Sequence, residues 1–107
     1  MNTRYRVRYH RKAEQDLVDI YVLVANYAGK QAAQRKLREI ETVVKALAAF
    51  PYRGSIRADF PDNFRVVPAA EKAVLCITVH EDIKTVVVRH VGYAGSDWTV
   101  SVQGRLT

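Results

Sequence analysis

The sequence predicts an α+β domain: an N-terminal strand, then an antiparallel helical hairpin packed on an antiparallel sheet of three to four strands. Three observations predict it. Apolar residues alternate with charged ones at Tyr5, Val7 and Tyr9. They recur at spacings of three and four from Ala13 to Ala28 and again from about Gln31 to Phe50. From Phe64 onward the chain is rich in β-branched residues broken by turn signals. A length of 107 residues implies one domain over 1–107.

Each element follows from its local pattern. Tyr5-Arg6-Val7-Arg8-Tyr9 places its arginines on one face and its apolar residues on the other, the period of a half-buried strand. Arginines on such an edge discourage strand-to-strand aggregation. The first helix carries Ala13, Leu17, Ile20, Tyr21, Val24, Tyr27 and Ala28 on its apolar face, which assigns Tyr21 and Tyr27 to the core. Its N-cap position falls to His10, where a serine or threonine would contribute roughly 1 kcal/mol. Gly29 closes the helix. In the second helix Ala33, Leu37, Ile40, Val44 and Leu47 form the stripe, and Pro51 stops it. Residues 52–63 read as a polar connection. Strands are then expected at Phe64–Val67, Ala73–His80 and Lys84–Val91, with the tail 99–107 an edge strand or frayed. This order lays one sheet face under the hairpin and leaves the other open.

Composition narrows the function classes. Seventeen basic against eleven acidic residues give a net charge of +6, which favours nucleic acid, an acidic protein or a nucleoprotein as partner. No signal-peptide pattern follows the basic start. The apolar run Ile20–Ala28 is far shorter than the roughly 20 residues of a membrane helix. Cys76 stands alone, so no internal disulfide forms, and its place in the most apolar strand predicts a buried, inert thiol. These features point to a soluble cytoplasmic protein.

No Walker loop, GxSxG elbow, HExxH pair or paired CxxC is present, and His10, His80 and His90 lack metal-ligand spacing, so neither metal nor cofactor is expected. The informative group is Arg57, Arg65, Arg89 and His90 with Tyr93 and Trp98. Arginine forks take phosphate or carboxylate, and the rings stack on bases or anchor a protein contact. Individually, such arginines are as readily paired with Asp59, Asp62 or Asp97.

The chain resembles the ParE/RelE superfamily of bacterial type II toxins over about residues 5 to 98. The resemblance is carried by Ala13-Glu14-Gln15-Asp16-Leu17-Val18-Asp19-Ile20, Phe50-Pro51-Tyr52-Arg53-Gly54, Phe64-Arg65, Val87-Val88-Arg89-His90 and Gly95-Ser96-Asp97-Trp98, in that order. It implies a toxin neutralised by a cognate antitoxin in a hetero-oligomer. The antitoxin's acidic, flexible tail is expected in the hairpin groove at Leu17, Tyr21, Val24, Leu37 and Val44, or over the basic sheet.

Two mechanisms divide the family. ParE-like members bind DNA gyrase and trap its cleaved DNA complex; here Arg57, Arg65, Arg89, His90, Tyr93 and Trp98 are the target-contact candidates. RelE-like members cut messenger RNA on the ribosome, for which His90, Tyr93, Arg65 and Arg89 are the candidate site. Gly92 is followed by Tyr93-Ala94-Gly95, where RelE-like chains carry a basic pair, so the phosphate-stabilising arginine of that branch is missing. The helix motifs favour the ParE-like branch.

Overall fold

The computed structural model describes residues 4–95 and 97–106; Ser96 of the Gly95–Trp98 block and Thr107 of the tail, like residues 1–3, lie outside the described residues. The elements run β1 (Arg6–Tyr9), α1 (Arg11–Ala28), α2 (Lys30–Ala46), β2 (Ser55–Ile56), β3 (Arg65–Ala70), β4 (Ala73–His80), β5 (Thr85–Tyr93) and α3 (Trp98–Val102), with a 3-10 turn at Gln103–Arg105.

Helix α1 begins at His10, whose Nδ1 accepts from the Lys12 amide at 3.1 Å. The histidine therefore supplies the cap that a hydroxyl usually provides, and the expected capping loss does not arise. Gly29 alone joins the helices, with φ at 94°, a left-handed conformation that costs glycine nothing. Both apolar stripes turn inward: Ala13, Ile20, Val24, Ala33, Ile40, Val44 and Leu47 pack on Val67, Leu75, Ile77, Val79, Val86, Val88 and Val91 of the sheet.

The sheet has five strands in the order β1-β5-β4-β3-β2, against the three to four expected. The additional strand is Ser55–Ile56, which pairs antiparallel with β3 although it is only two residues long, too short to show a period. β1 lies parallel to β5, because the hairpin crossover brings the chain back in the same direction, and its outer side is a sheet edge. Tyr5, Val7 and Tyr9 pack toward the hairpin, while Arg6 and Arg8 stay exposed.

Gly54 has φ at 78°, and a Cβ there would stand 2.3 Å from the Val66 carbonyl oxygen. Gly54→Ala must therefore displace β2 from β3. We expect a loss of about 1–3 kcal/mol from backbone strain alone, read as a lower urea midpoint; an unchanged midpoint would show that the turn relaxes freely.

The far face of the sheet departs from expectation. It is partly covered, since the tail forms α3 and its 3-10 turn in place of a strand or frayed end. Phe64, Cys76 and Val102 form a second core there with Phe60, Val66, Trp98 and Leu106. Trp98 and Phe60 both stack close to Phe64, with ring centroids 5.7 and 4.6 Å away. Cys76 is buried, and burial pushes its thiol up to about 12, as an inert cysteine requires.

Candidate functional site

Three distant parts of the chain meet where α1 crosses β5. Asp16 on α1 accepts from the Val91 amide at 3.0 Å and from Arg105 at 2.6 and 3.3 Å, and lies 3.0 Å from His90 Nδ1. Arg105 also donates to the Arg89 carbonyl at 3.1 Å, and Arg89 donates back to the Arg105 carbonyl at 2.9 Å. This exchange fastens the tail across the sheet. Burial pushes the Asp16 carboxyl up, but the hydrogen bonds from His90, Arg105 and the Val91 amide outweigh it and hold the group below the usual carboxylate range.

Arg89 sits on the far face of the sheet. Its Nε donates to Thr78 Oγ1 at 3.0 Å, and its Nη2 lies 3.4 Å from His80 Nε2. It is 9% exposed and forms no ion pair with a described carboxylate; burial lowers its pKa, opposed by the more distant Asp62.

The other expected site residues are dispersed. Arg65 donates to the Tyr52 carbonyl at 3.0 Å and lies over the Tyr52 ring. Tyr52 meets Tyr5 edge-on, and Lys84 covers Tyr5. The Tyr52 hydroxyl is bonded to Glu81. Arg57 pairs with Asp59 at 2.8 Å and covers the Trp98 ring at 4.9 Å, so this arginine has the local aspartate partner weighed for it. Trp98 packs half-buried on the second core and also lines, with Tyr93, a cleft of about 270 Å³.

His90 and Tyr93 do come together. With Asp16, Asp19, Ile20, Leu23 and Val91 they line a cleft of about 210 Å³ between α1 and β5. Among the described residues no lysine or arginine is in its lining, but the Arg105 guanidinium stands directly behind it, on Asp16 and 3.0 Å from His90 Nδ1. Arg89 faces the other side of the sheet, and Arg65 is at the Tyr52 loop. The four residues considered for RNA cleavage therefore do not surround one point. The Tyr93 hydroxyl bonds Tyr27 at 2.7 Å, which raises its pKa to about 12, away from a proton-transfer role near neutrality.

The hairpin residues expected to hold a partner are mostly turned inward. Val24 and Val44 are 2% and 4% exposed, and Leu17, Tyr21 and Leu37 pack half-buried on the same core. The stripe read as a groove is the surface by which the hairpin seats on the sheet. The apolar side chains that α1 leaves exposed are Val18, Val22, Leu23 and Tyr27; Tyr27, expected in the core, is 62% exposed in the last turn of the helix, where its hydroxyl reaches Tyr93 at the end of β5.

The sequence reading missed Arg105, which sat in a weakly periodic tail, and the role of Asp16, which lay inside a quoted motif. For Arg6 and Arg8 the sequence allows edge protection or attraction of an acidic ligand, with the first favoured. No spacing joins 16, 90 and 105, so only the fold reveals them.

A basic α+β domain with a two-helix hairpin on one face of a five-stranded sheet and a tail fastened across the other is the frame that these residues share. A sequence model of the family described as the ParE toxin of the type II toxin-antitoxin system, parDE, matches residues 7–98, and the chain belongs to that family. Its fold is similar to that of a chromosomal ParDE toxin-antitoxin system from P. aeruginosa, with TM-score 0.72 and 18% identity over 86% of this chain and 98% of that one. It is also similar to the RelBE2 toxin-antitoxin complex of Mycobacterium tuberculosis, with TM-score 0.59 and 18% identity over 90% of this chain and 98% of that one. The E. coli toxin RelE, as a mutant in the free state, aligns with TM-score 0.65 and 14% identity over 97% of this chain and 99% of that one. No curated protein sequence matches the chain. No helix is long and apolar enough to cross a membrane.

Proposed function

We propose that this toxin acts in the cytoplasm by binding DNA gyrase and trapping its cleaved DNA complex, without chemistry of its own, and is neutralised by a cognate antitoxin. The observation that carries this reading is the cleft at His90 and Tyr93. RNA cleavage needs an acceptor, a donor and a cation around one phosphate, and the cation at this cleft, Arg105, is already neutralised by Asp16, while a second aspartate, Asp19, also lines it. A binding role asks only for a rigid, charged surface, to which Arg57, partly exposed beside Asp59, and Arg65, half-buried over Tyr52, contribute. The antitoxin contact is placed on the exposed side of α1, at Val18, Val22 and Leu23, next to the same cleft. The matched family and the ParDE and RelBE2 neighbours support such a partner.

The test is ATP-dependent supercoiling of relaxed plasmid by gyrase, scored for inhibition and for linear DNA after protease treatment. Inhibition with linear DNA is expected, and Arg57→Ala and Arg65→Ala should each weaken it by about tenfold, the size of one lost charged contact. No effect from folded protein that still binds its antitoxin overturns the gyrase reading. Cleavage of messenger RNA in a translating extract, abolished by Tyr93→Phe, would establish the RelE-like alternative in its place.

A further inference from the structure

The tail covers only part of the far face of the sheet, and what remains is basic. Arg8 pairs with Val87 and Val87 with Thr78; Arg6 pairs with Thr85 and Thr85 with His80. Side chains at paired positions share a face, so Arg6, Arg8, Thr78 and His80 stand on one side, opposite the hairpin core. Arg89 joins them through its bond to Thr78. Arg11 and Lys12 follow at the start of α1, both exposed.

The charges on this face are not neutralised from within. Among the described residues, the carboxylate ion pairs are those of Arg57 with Asp59 and of His90 and Arg105 with Asp16. None of these serves Arg6, Arg8, Arg11, Lys12 or Arg89. The field is felt locally: His10 is lowered by burial and then by Arg89, Arg105, Arg11 and Lys12. Arg89 itself is buried with its nitrogens met by neutral acceptors, Thr78, the Arg105 carbonyl and His80, so it adds positive charge beneath this face while the exposed Arg6, Arg8, Arg11 and Lys12 present it.

We propose that this face binds the backbone phosphates of double-stranded DNA, independently of sequence. Arg6 and Arg8, two residues apart on a strand, are about 7 Å apart along it, a spacing suited to separate phosphates on one flat edge. Guanidinium forks match phosphate oxygens. Single-stranded nucleic acid is bound through stacked bases, but the aromatic rings nearest this face, Phe60, Phe64 and Trp98, are packed on one another. The inference goes beyond the gyrase reading and does not depend on it.

The experiment is fluorescence anisotropy of a labelled duplex of arbitrary sequence with the purified full chain, over salt from about 50 to 200 mM. For three to four phosphates the logarithm of affinity should fall with the logarithm of salt at a slope of about −3 to −4. Arg6→Ser with Arg8→Ser, both exposed and so compatible with folding, should reduce that slope by about 2 and weaken low-salt binding at least about tenfold, with an unchanged melting temperature. No duplex binding at low salt, an unchanged slope in the double variant, or tighter binding to single-stranded RNA or polyglutamate overturns the proposal. Supercoiling inhibition by the same double variant is scored separately, so that failure of DNA binding and failure of the gyrase reading are distinguishable.

Discussion

Asp16→Ala is expected to destabilise the protein by roughly 3–5 kcal/mol, the cost of removing one partner from a buried ion pair. Asp16, His90 and Arg105 have side chains only 13%, 7% and 11% exposed, so the variant strands a guanidinium and frees the Val91 amide in a place water reaches poorly. Such a loss is a large part of a typical domain's stability of about 5–15 kcal/mol. Asp16→Asn keeps the shape and isolates the charge. Because the folded chain holds this carboxyl below its usual range, its contribution is complete above the unfolded value near 4 and fades as pH falls through the folded value. Urea unfolding near neutral pH and again at about pH 3 should thus show wild type losing stability on acidification, with a smaller loss for Asp16→Asn. Parallel losses in both proteins would show that the carboxylate contributes nothing in particular.

Phe64→Ala should cost a further class of stability, about 3–5 kcal/mol, as expected for a fully buried phenylalanine. Phe64 has no exposed surface and lies against Phe60, Cys76, Trp98 and Val102, so its removal opens the core that seats the tail. Trp98 is the single tryptophan, which makes its emission a direct reporter. A red shift in the folded variant at low denaturant is expected, together with the lower midpoint; Phe64→Leu should lose less on both measures. A loss below about 1 kcal/mol with unshifted emission would mean that the second core does not hold the tail.

The elements with long periodic patterns were legible in the sequence because periodicity reports burial directly. The stripe from Ala13 to Val24 states which side of its helix is covered, and the run Val86-Val87-Val88, which has no period, marks an inner strand without naming a face. The two-residue strand at Ser55 and the helix at Trp98 were not legible, since neither is long enough to display a period and both depend on what Val66 and Phe64 offer across space. The same limit applies to the site. Arg57, Arg65, Arg89 and His90 are close in type and order, yet alternation along β3 and β5, and the irregularity where His90 pairs with Cys76 while Val88 pairs with Ile77, send them to different surroundings. Conversely, Asp16 and Arg105 touch only because α1 and the tail approach β5 from opposite faces.

The parallel pairing of β1 with β5 also has a consequence in time. During synthesis β1 and both helices are made before the strand that completes them, so Tyr5, Val7 and Tyr9 have no β5 neighbour while the hairpin already can form. Contacts between such distant segments slow folding, because a long loop must close before they yield any stabilisation. In that interval Arg6 and Arg8, the same residues that charge the finished surface, keep an unpaired apolar strand from joining a neighbouring nascent chain.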